Sequence, residues 1–293
     1  MNSDLRCVFC GTSTAELPAA ESARVRSNVR EFGVETFTVW RCAKCRSLHS
    51  QELIDHDRYY RDYPLNRMKY DFIAKAVLRK RMEILERTGL KRSMTLLDYG
   101  CGNGHFVRYA REHGVRAEGY DPYSEEFGNA SVLESRYDFV TAEDVLEHVE
   151  DPSALVDDLK GYALPGGCVA IGTPNADAID LEDPFDLGYL HQPFHRHIPS
   201  AAELQSTAAE GGWKVVRFHK GAYVDTRVPF LNTAFVSRFL TNRGGFLDDG
   251  FDRLSLQLSH FLAHPSLIFW GLFGSLFSRK TLIVIVVRAP AER

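Results

Sequence analysis

The sequence has no long unbroken apolar run, no low-complexity tract, no internal repeat and no dominant charge. Each absence excludes something. Without about 18 consecutive apolar residues, no membrane-spanning helix is expected. The nearest stretch, Leu254 to Phe277, is interrupted by Ser, Gln, His and Pro265. Met1 to Arg6 holds no apolar core, so no secretory leader is expected. A net charge of −4 over 293 residues gives no global basic field to draw nucleic acid. Cysteines number six, and free thiols together with the missing leader point to the cytosol. The remaining composition, 44% apolar and 25% charged, is that of a globular chain with room for one large or two modest domains.

Four of the cysteines form two pairs, Cys7-Val-Phe-Cys10 and Cys42-Ala-Lys-Cys45. Each pair can turn two thiolates inward on a tight knuckle, and two knuckles close a tetrahedral site. The rival readings are a redox pair, which lacks its βαβ context here, and four unrelated thiols. Four thiolates leave no open position, so a zinc held by Cys7, Cys10, Cys42 and Cys45 would be structural. A ribbon over residues 1–50 is therefore expected, folded by its metal at on the order of 10 kcal/mol. His49 is a spare ligand candidate beside it and reads more simply as a surface residue. Residues 51–92 read as a helical linker, with apolar positions at helical spacing from Phe72 to Leu85. Tyr59, Tyr60 and Tyr63 precede that helix as candidates for a lid.

The stretch that organises the chain is Thr95-Leu-Leu-Asp98-Tyr-Gly100-Cys101-Gly102-Asn103-Gly104-His105. It reads as a strand ending in an acid, a turn with glycines at alternate positions, and a helix start. Glycines let a ligand approach the backbone closely, and a helix N-terminus offers free N–H groups. The spacing differs from the Gly-x-Gly-x-x-Gly of dinucleotide-binding folds. It resembles motif I of the class I S-adenosylmethionine-dependent methyltransferases. Asp121, about 20 residues past the glycines at the end of the next strand, is placed for ribose hydroxyls. That position would serve either S-adenosylmethionine or NAD. Tyr137 to Pro152 resembles the family's fourth-strand segment with its Leu-Glu-His-x-x-Asp-Pro run, here Leu146-Glu147-His148 to Asp151-Pro152. Cys168 to Asn175 matches the fifth strand, so the resemblance covers roughly Thr95 to Asn175.

The resemblance implies an α/β fold, a Rossmann-like seven-stranded sheet with helices on both faces, over residues 93–293. No clear third strand can be read between Asp121 and Tyr137. An apolar helical insertion is expected at about 222–279. The implied cofactor is S-adenosylmethionine, held by Asp98, Gly100, Gly102, Gly104, Asp121, Glu143 and Asp144. The implied activity is methyl transfer to a small molecule or sugar, with oxygen favoured. An oxygen nucleophile must lose a proton, and the candidate bases are His148, His195 and His197, with His148 narrowly preferred. Some ubiquinone-pathway O-methyltransferases of this fold hold a divalent metal on Glu-x-x-Glu-His. The matching positions here, Asp144-x-x-Glu147-His148, read more simply as pocket-lining residues. A zinc ribbon before such a domain resembles the layout of sugar methyltransferases. The alternatives are a ribbon-bearing RNA methyltransferase and a non-catalytic binding module. Location is expected to be cytoplasmic, with residues 254–277 as a packing surface or as a contact for a membrane or a lipid-linked substrate.

Overall fold

The computed structural model describes residues 4–60, 63–226, 228–248 and 258–290. In chain order these carry β1 (Glu21–Arg26), β2 (Thr36–Arg41), β3 (Leu48–Ser50), α1 (His56–Tyr60), α2 (Phe72–Glu86), β4 (Thr95–Tyr99) and α3 (His105–Glu112). There follow β5 (Arg116–Tyr120), β6 (Tyr137–Glu143), α4 (Pro152–Gly161), β7 (Ala163–Pro174), β8 (His197–Ile198) and α5 (Ala201–Ala209). The chain ends with β9 (Lys214–Gly221), α6 (Thr233–Thr241), α7 (Leu258–Ala263), α8 (Ser266–Phe273) and β10 (Leu282–Arg288).

The larger sheet runs β5-β4-β6-β7-β10-β9. β5, β4, β6 and β7 are mutually parallel, and β10 is antiparallel to both its neighbours. Successive side chains of a strand point to opposite faces, and each face is covered. Leu97, Val140, Ile171 and Ile285 pack with Leu155 and Leu159 of α4 and Leu204 of α5. Leu96, Phe139, Ala170 and Val286 pack with Met82 and Leu85 of α2 and Phe106 and Val107 of α3.

Six strands stand where seven were expected. Between Asp121 and Tyr137 the only regular element is the 3₁₀ turn Ala130–Glu134. That segment begins Pro-Tyr-Ser-Glu-Glu and offers no alternating apolar run, so β5 is left at the edge. The Leu164-Pro165-Gly166-Gly167 segment lies inside β7 as an irregularity. Tyr137 pairs with Ala163 and Phe139 with Cys168, with Gly166 at φ 73°.

The ribbon sheet runs β1-β2-β3-β8 and is antiparallel throughout. Its fourth strand comes from far along the chain, with Leu48 opposite Ile198 and His49 opposite His197. Its core is shared as well: Val25, Val39 and Leu48 pack against Ala176, Ile179, Leu190 and Ile198. The ribbon thus sits on the loop that precedes α5.

Within the expected insertion, α6 begins at Thr233. Phe230 has φ 64°, and the Asn232 side chain caps α6 through Phe235 N. Asn232 Nδ2 also donates to the carbonyls of Trp270 and Gly271, tying α8 to α6. The outer side of α8 and the turn after it leave Ile268, Phe269, Leu272, Phe273, Leu276 and Phe277 exposed. The start of the apolar stretch, residues 254–257, lies outside the described residues. No helix among the described residues is long and apolar enough to cross a membrane.

Arg81 of α2 reaches the end of the sheet and bridges two acids. Its Nη2 lies 2.5 Å from Asp98 Oδ1 and its Nε 2.6 Å from Glu143 Oε2. The guanidinium lies 3.9 Å over the Phe106 ring. Asp98 is 2% exposed, so removing its partner would strand a buried charge. Arg81→Leu is expected to cost about 3–5 kcal/mol, measured by urea unfolding. A loss below about 1 kcal/mol would show that the acids are solvated without it.

Candidate active site

The glycine turn after β4 is left-handed three times, with φ 72° at Gly100, 53° at Gly102 and 68° at Gly104. A Cβ on Gly100 would meet Val145 at 2.3 Å, and one on Gly104 would meet Phe127 at 2.3 Å. One on Gly102 would meet nothing within 4 Å, so the middle glycine faces open space where a ligand can lie on the backbone. Asp121 closes this side: its Oδ2 accepts from Gly102 N at 2.9 Å and its Oδ1 from Tyr123 N at 2.9 Å. Asp98 Oδ2 is buried without a hydrogen-bond partner, an acceptor suited to an ammonium group. Glu143 meets Arg81, and Asp144 follows with left-handed backbone, φ 56°. Asp144 Oδ1 accepts from Tyr223 Oη at 2.7 Å. Burial and the Glu143 charge push the Asp144 carboxyl up to about 7. The seven residues expected to hold the cofactor therefore converge at the C-terminal ends of β4, β5 and β6.

Across the cleft stand Glu147, His148, His191 and His195. Glu147 is fully buried, and its Oε2 accepts from Thr173 Oγ1 at 3.0 Å. Its Oε1 has no hydrogen-bond partner and lies 3.8 Å from His195 Nε2. Burial, with the Asp144 charge adding to it, holds the Glu147 carboxyl well above the usual carboxylate range. His195 Nδ1 lies 2.7 Å from the Tyr189 carbonyl, which can only accept, so Nδ1 carries the hydrogen and Nε2 is bare. Burial lowers His195 to about 4, so the imidazole is neutral at physiological pH. His148 Nδ1 is 2.8 Å from Tyr60 Oη. Donor atoms of Glu147, His148 and His195 all lie within 4.8 Å of one another. That group could receive a divalent cation, and it differs from the Asp144, Glu147 and His148 set read from sequence.

The other residues singled out in sequence divide between the two sides. His197 does not join His148 and His195; its Nδ1 lies 3.1 Å from His49 Nδ1 on the ribbon. His49 is not at the surface: it is 2% exposed, stacked near Trp40, with Nε2 3.2 Å from Cys7 Sγ. Its strand pairs with β8, which covers it. Tyr60 and Tyr63 stack on each other beside His148, and Tyr60 also stacks on Tyr123. Tyr59 instead packs on Phe32 and Phe37 and donates to Glu35 Oε2. Arg81, Tyr223 and Asn28 were not foreseen as site residues, and His191 was foreseen only as part of the histidine-rich loop. Each reaches its partner across many residues of chain, and no local pattern marks such contacts.

At the ribbon, donor atoms of Cys7, Cys10, Cys42 and Cys45 lie within 4.8 Å of one another. Cys7 and Cys45 sulfurs are 3.4 Å apart, and Cys10 and Cys42 sulfurs 3.6 Å. Tetrahedral ligands at zinc–sulfur bond lengths of about 2.3 Å would stand a few tenths of an ångström further apart, so the four fit one ion. The hydrogen bond from Cys7 lowers Cys45 to about 5, and that bond with burial raises Cys7.

Comparison with known proteins agrees with this geometry. A methyltransferase-domain family matches residues 68–217, just over half of the chain. The ubiquinone biosynthesis O-methyltransferase of Serratia proteamaculans is 32% identical over 114 residues, covering 31% of this chain and 47% of that one. The same enzyme from Paraburkholderia phytofirmans is 32% identical over 103 residues, covering 28% and 44%. The chain thus spans about half the length of the curated relatives it matches. Among solved structures, Haemonchus contortus phosphoethanolamine N-methyltransferase 2 with S-adenosyl-L-methionine shares the fold. Its TM-score is 0.50 at 15% identity, covering 83% of this chain and 62% of that one. With the glycine turn, its acids and this sheet order matched by a family covering half its length, the chain belongs to the class I S-adenosylmethionine-dependent methyltransferases.

Proposed function

We propose that this chain methylates a hydroxyl oxygen on a small molecule or saccharide. One observation carries the reading: His195 Nε2, left without a hydrogen by the Nδ1 contact to Tyr189 O, faces Glu147 Oε1 at 3.8 Å, and that buried oxygen has no hydrogen-bond partner. Such a pair is unfavourable until a proton or an O–H donor enters. S-adenosylmethionine, when bound, supplies a methyl group on a sulfonium. His195 Nε2 takes the hydroxyl proton as the oxygen becomes nucleophilic, with the Glu147 carboxyl 3.8 Å away beside it. Tyr189 O holds His195 in the tautomer this requires. Tyr60, Tyr63 and Phe194 form the apolar wall around the cluster. The names of the curated relatives support oxygen as acceptor, and the ribbon-plus-domain layout supports a sugar.

Two partners belong to this reading. Zinc at Cys7, Cys10, Cys42 and Cys45 holds the ribbon. The exposed apolar side of α8 and its turn offers a contact for a lipid-linked acceptor at a membrane surface. Nucleic acid is disfavoured because three of the ribbon's arginines are matched by acids: Arg24 pairs with Glu52, and Arg41 and Arg46 with Glu21.

The test supplies methyl-labelled S-adenosylmethionine and a cell extract split into nucleic acid, small-molecule and nucleotide-sugar, protein, and lipid fractions. Label as an alkali-stable methyl ether in the small-molecule or lipid fraction is expected. Label in RNA would reject the reading. The cofactor side has its own check. Gly102→Val places its side chain in open space yet blocks the cleft, so S-adenosylmethionine affinity should fall by at least about tenfold in calorimetry. The protein itself should lose only about 1–2 kcal/mol from the left-handed backbone. Unchanged affinity would mean that the cofactor does not lie against this turn.

A further inference from the structure

The ribbon is joined to the histidine cluster by specific side chains. Ser27 Oγ donates to the Gln192 carbonyl at 2.8 Å, and Ser50 Oγ donates to Gln192 Oε1 at 2.9 Å. Gln192 Nε2 in turn donates to the carbonyls of Leu190 at 2.9 Å and His195 at 2.8 Å. Ser50 N donates to the Arg196 carbonyl at 2.8 Å. The contact with most chemical content is made by Asn28, which is buried at the same edge.

The Gly188 carbonyl can only accept, so Asn28 presents Nδ2 to it, at 3.2 Å. That orientation turns Asn28 Oδ1 toward His191 Nδ1, at 2.7 Å. Oδ1 also can only accept, so Nδ1 carries the hydrogen and His191 Nε2 keeps a lone pair. This Nε2 is buried and has no hydrogen-bond partner. Its residue also has a strained backbone, with φ 32° and ψ 55°. A buried acceptor without a donor, on a strained residue, is costly to keep for packing alone. The ring stacks on Phe194 at 4.8 Å and meets His195 edge-on at 5.2 Å, so it belongs to the cluster described above.

We propose that the N-terminal ribbon completes the active site: Asn28 locks His191 in the Nδ1–H tautomer, and the bare Nε2 accepts a hydrogen bond from the molecule to be methylated. This rests on the reading that a hydroxyl-bearing molecule enters between His195 and Glu147. Asn28 is then a positioning residue and His191 a binding residue, on opposite sides of one imidazole. The ribbon contributes to acceptor recognition from within the site, and the cofactor side is untouched by it.

The test uses the full chain labelled with ¹⁵N-histidine, the His191 signals being identified by their loss in His191→Gln. The unsubstituted chain and Asn28→Asp should both show a protonated Nδ1 and an unprotonated Nε2. Asn28→Leu should lose that preference. Rates are then measured against a dilution series of the extract fraction that takes methyl label. Asn28→Leu should raise the apparent KM for that fraction at least about tenfold, the worth of one good hydrogen bond, with the Kd for S-adenosylmethionine unchanged. Asn28→Asp, which keeps the acceptor oxygen, should recover most of the loss. A His191 that carries its hydrogen on Nε2 overturns the proposal. So does an equal loss in the Asp and Leu variants, or a loss shared with cofactor binding. If the tautomer is as stated but no fraction takes label, the hydroxyl-acceptor reading fails, and the substrate contact falls with it while the Asn28–His191 geometry stands.

Discussion

Replacing His195 with alanine should slow methyl transfer by about 10²–10⁴-fold while S-adenosylmethionine binds as before. The argument is geometric. His195 Nδ1 is committed to the Tyr189 carbonyl, and Nε2 is left without a hydrogen 3.8 Å from the Glu147 carboxyl. His148, the base narrowly preferred from sequence, has its Nδ1 engaged with Tyr60 Oη. The two variants therefore separate the candidates, and a larger loss in His148→Ala than in His195→Ala would move the base to His148. The pH response has a defined sign. Burial lowers His195 to about 4, so its lone pair is available above that value and is lost below it. For this group the rate should hold as pH falls from about 8 to about 5, the range in which an ordinary histidine would take up its proton. A single acid limb near the unperturbed histidine value would argue against a buried base.

The second large effect belongs to the cysteine site. Cys42→Ser, or exhaustive chelation, should release one equivalent of zinc and abolish methyl transfer. The metal at such a site contributes on the order of 10 kcal/mol, more than a small ribbon core can replace. The loss should reach the catalytic loop because β8 is the fourth strand of the ribbon sheet and lies two residues past His195. Cofactor affinity should fall with it, because the ribbon sheet shares strand β8 and its apolar core with the segment that leads into α5. Zinc content is read by a chromogenic chelator and affinity by calorimetry. Full activity in zinc-free protein would reduce the four cysteines to packing residues.

Much of this architecture was legible in the residues because its signals are local. The glycine turn, the acid ending β5, the Leu146 to Pro152 run and the paired cysteines each lie within a few residues of chain. The strands read before the glycine turn, before Asp121, from Tyr137 and from Cys168 lie close to where their residues placed them. What sequence could not show was mostly made by contacts between distant segments. Nothing near His197 announces that it pairs with His49, and nothing near Asn28 announces His191. Arg81 reads as one more polar position on an amphipathic helix until the fold carries it to Asp98 and Glu143. His49 looked solvent-facing because its cover, β8, arrives from almost 150 residues downstream. The missing strand before Tyr137 was a different case, since its absence was already visible in the polar, Pro- and Gly-containing segment.

The two-residue strand β8 also bears on how the molecule unfolds. A sheet that draws one of its strands from almost 150 residues downstream cannot melt without loosening the segment that supplies it. The ribbon and the catalytic sheet should therefore denature as one cooperative unit, with a single calorimetric transition whose calorimetric and van't Hoff enthalpies agree. Amide exchange in β2 and in the segment around His197 should report the same opening free energy, as members of one foldon. On that view the first fifty residues form the closing piece of a single folding unit, and losing them would cost the enzyme its thermal cooperativity as well as a wall of its site.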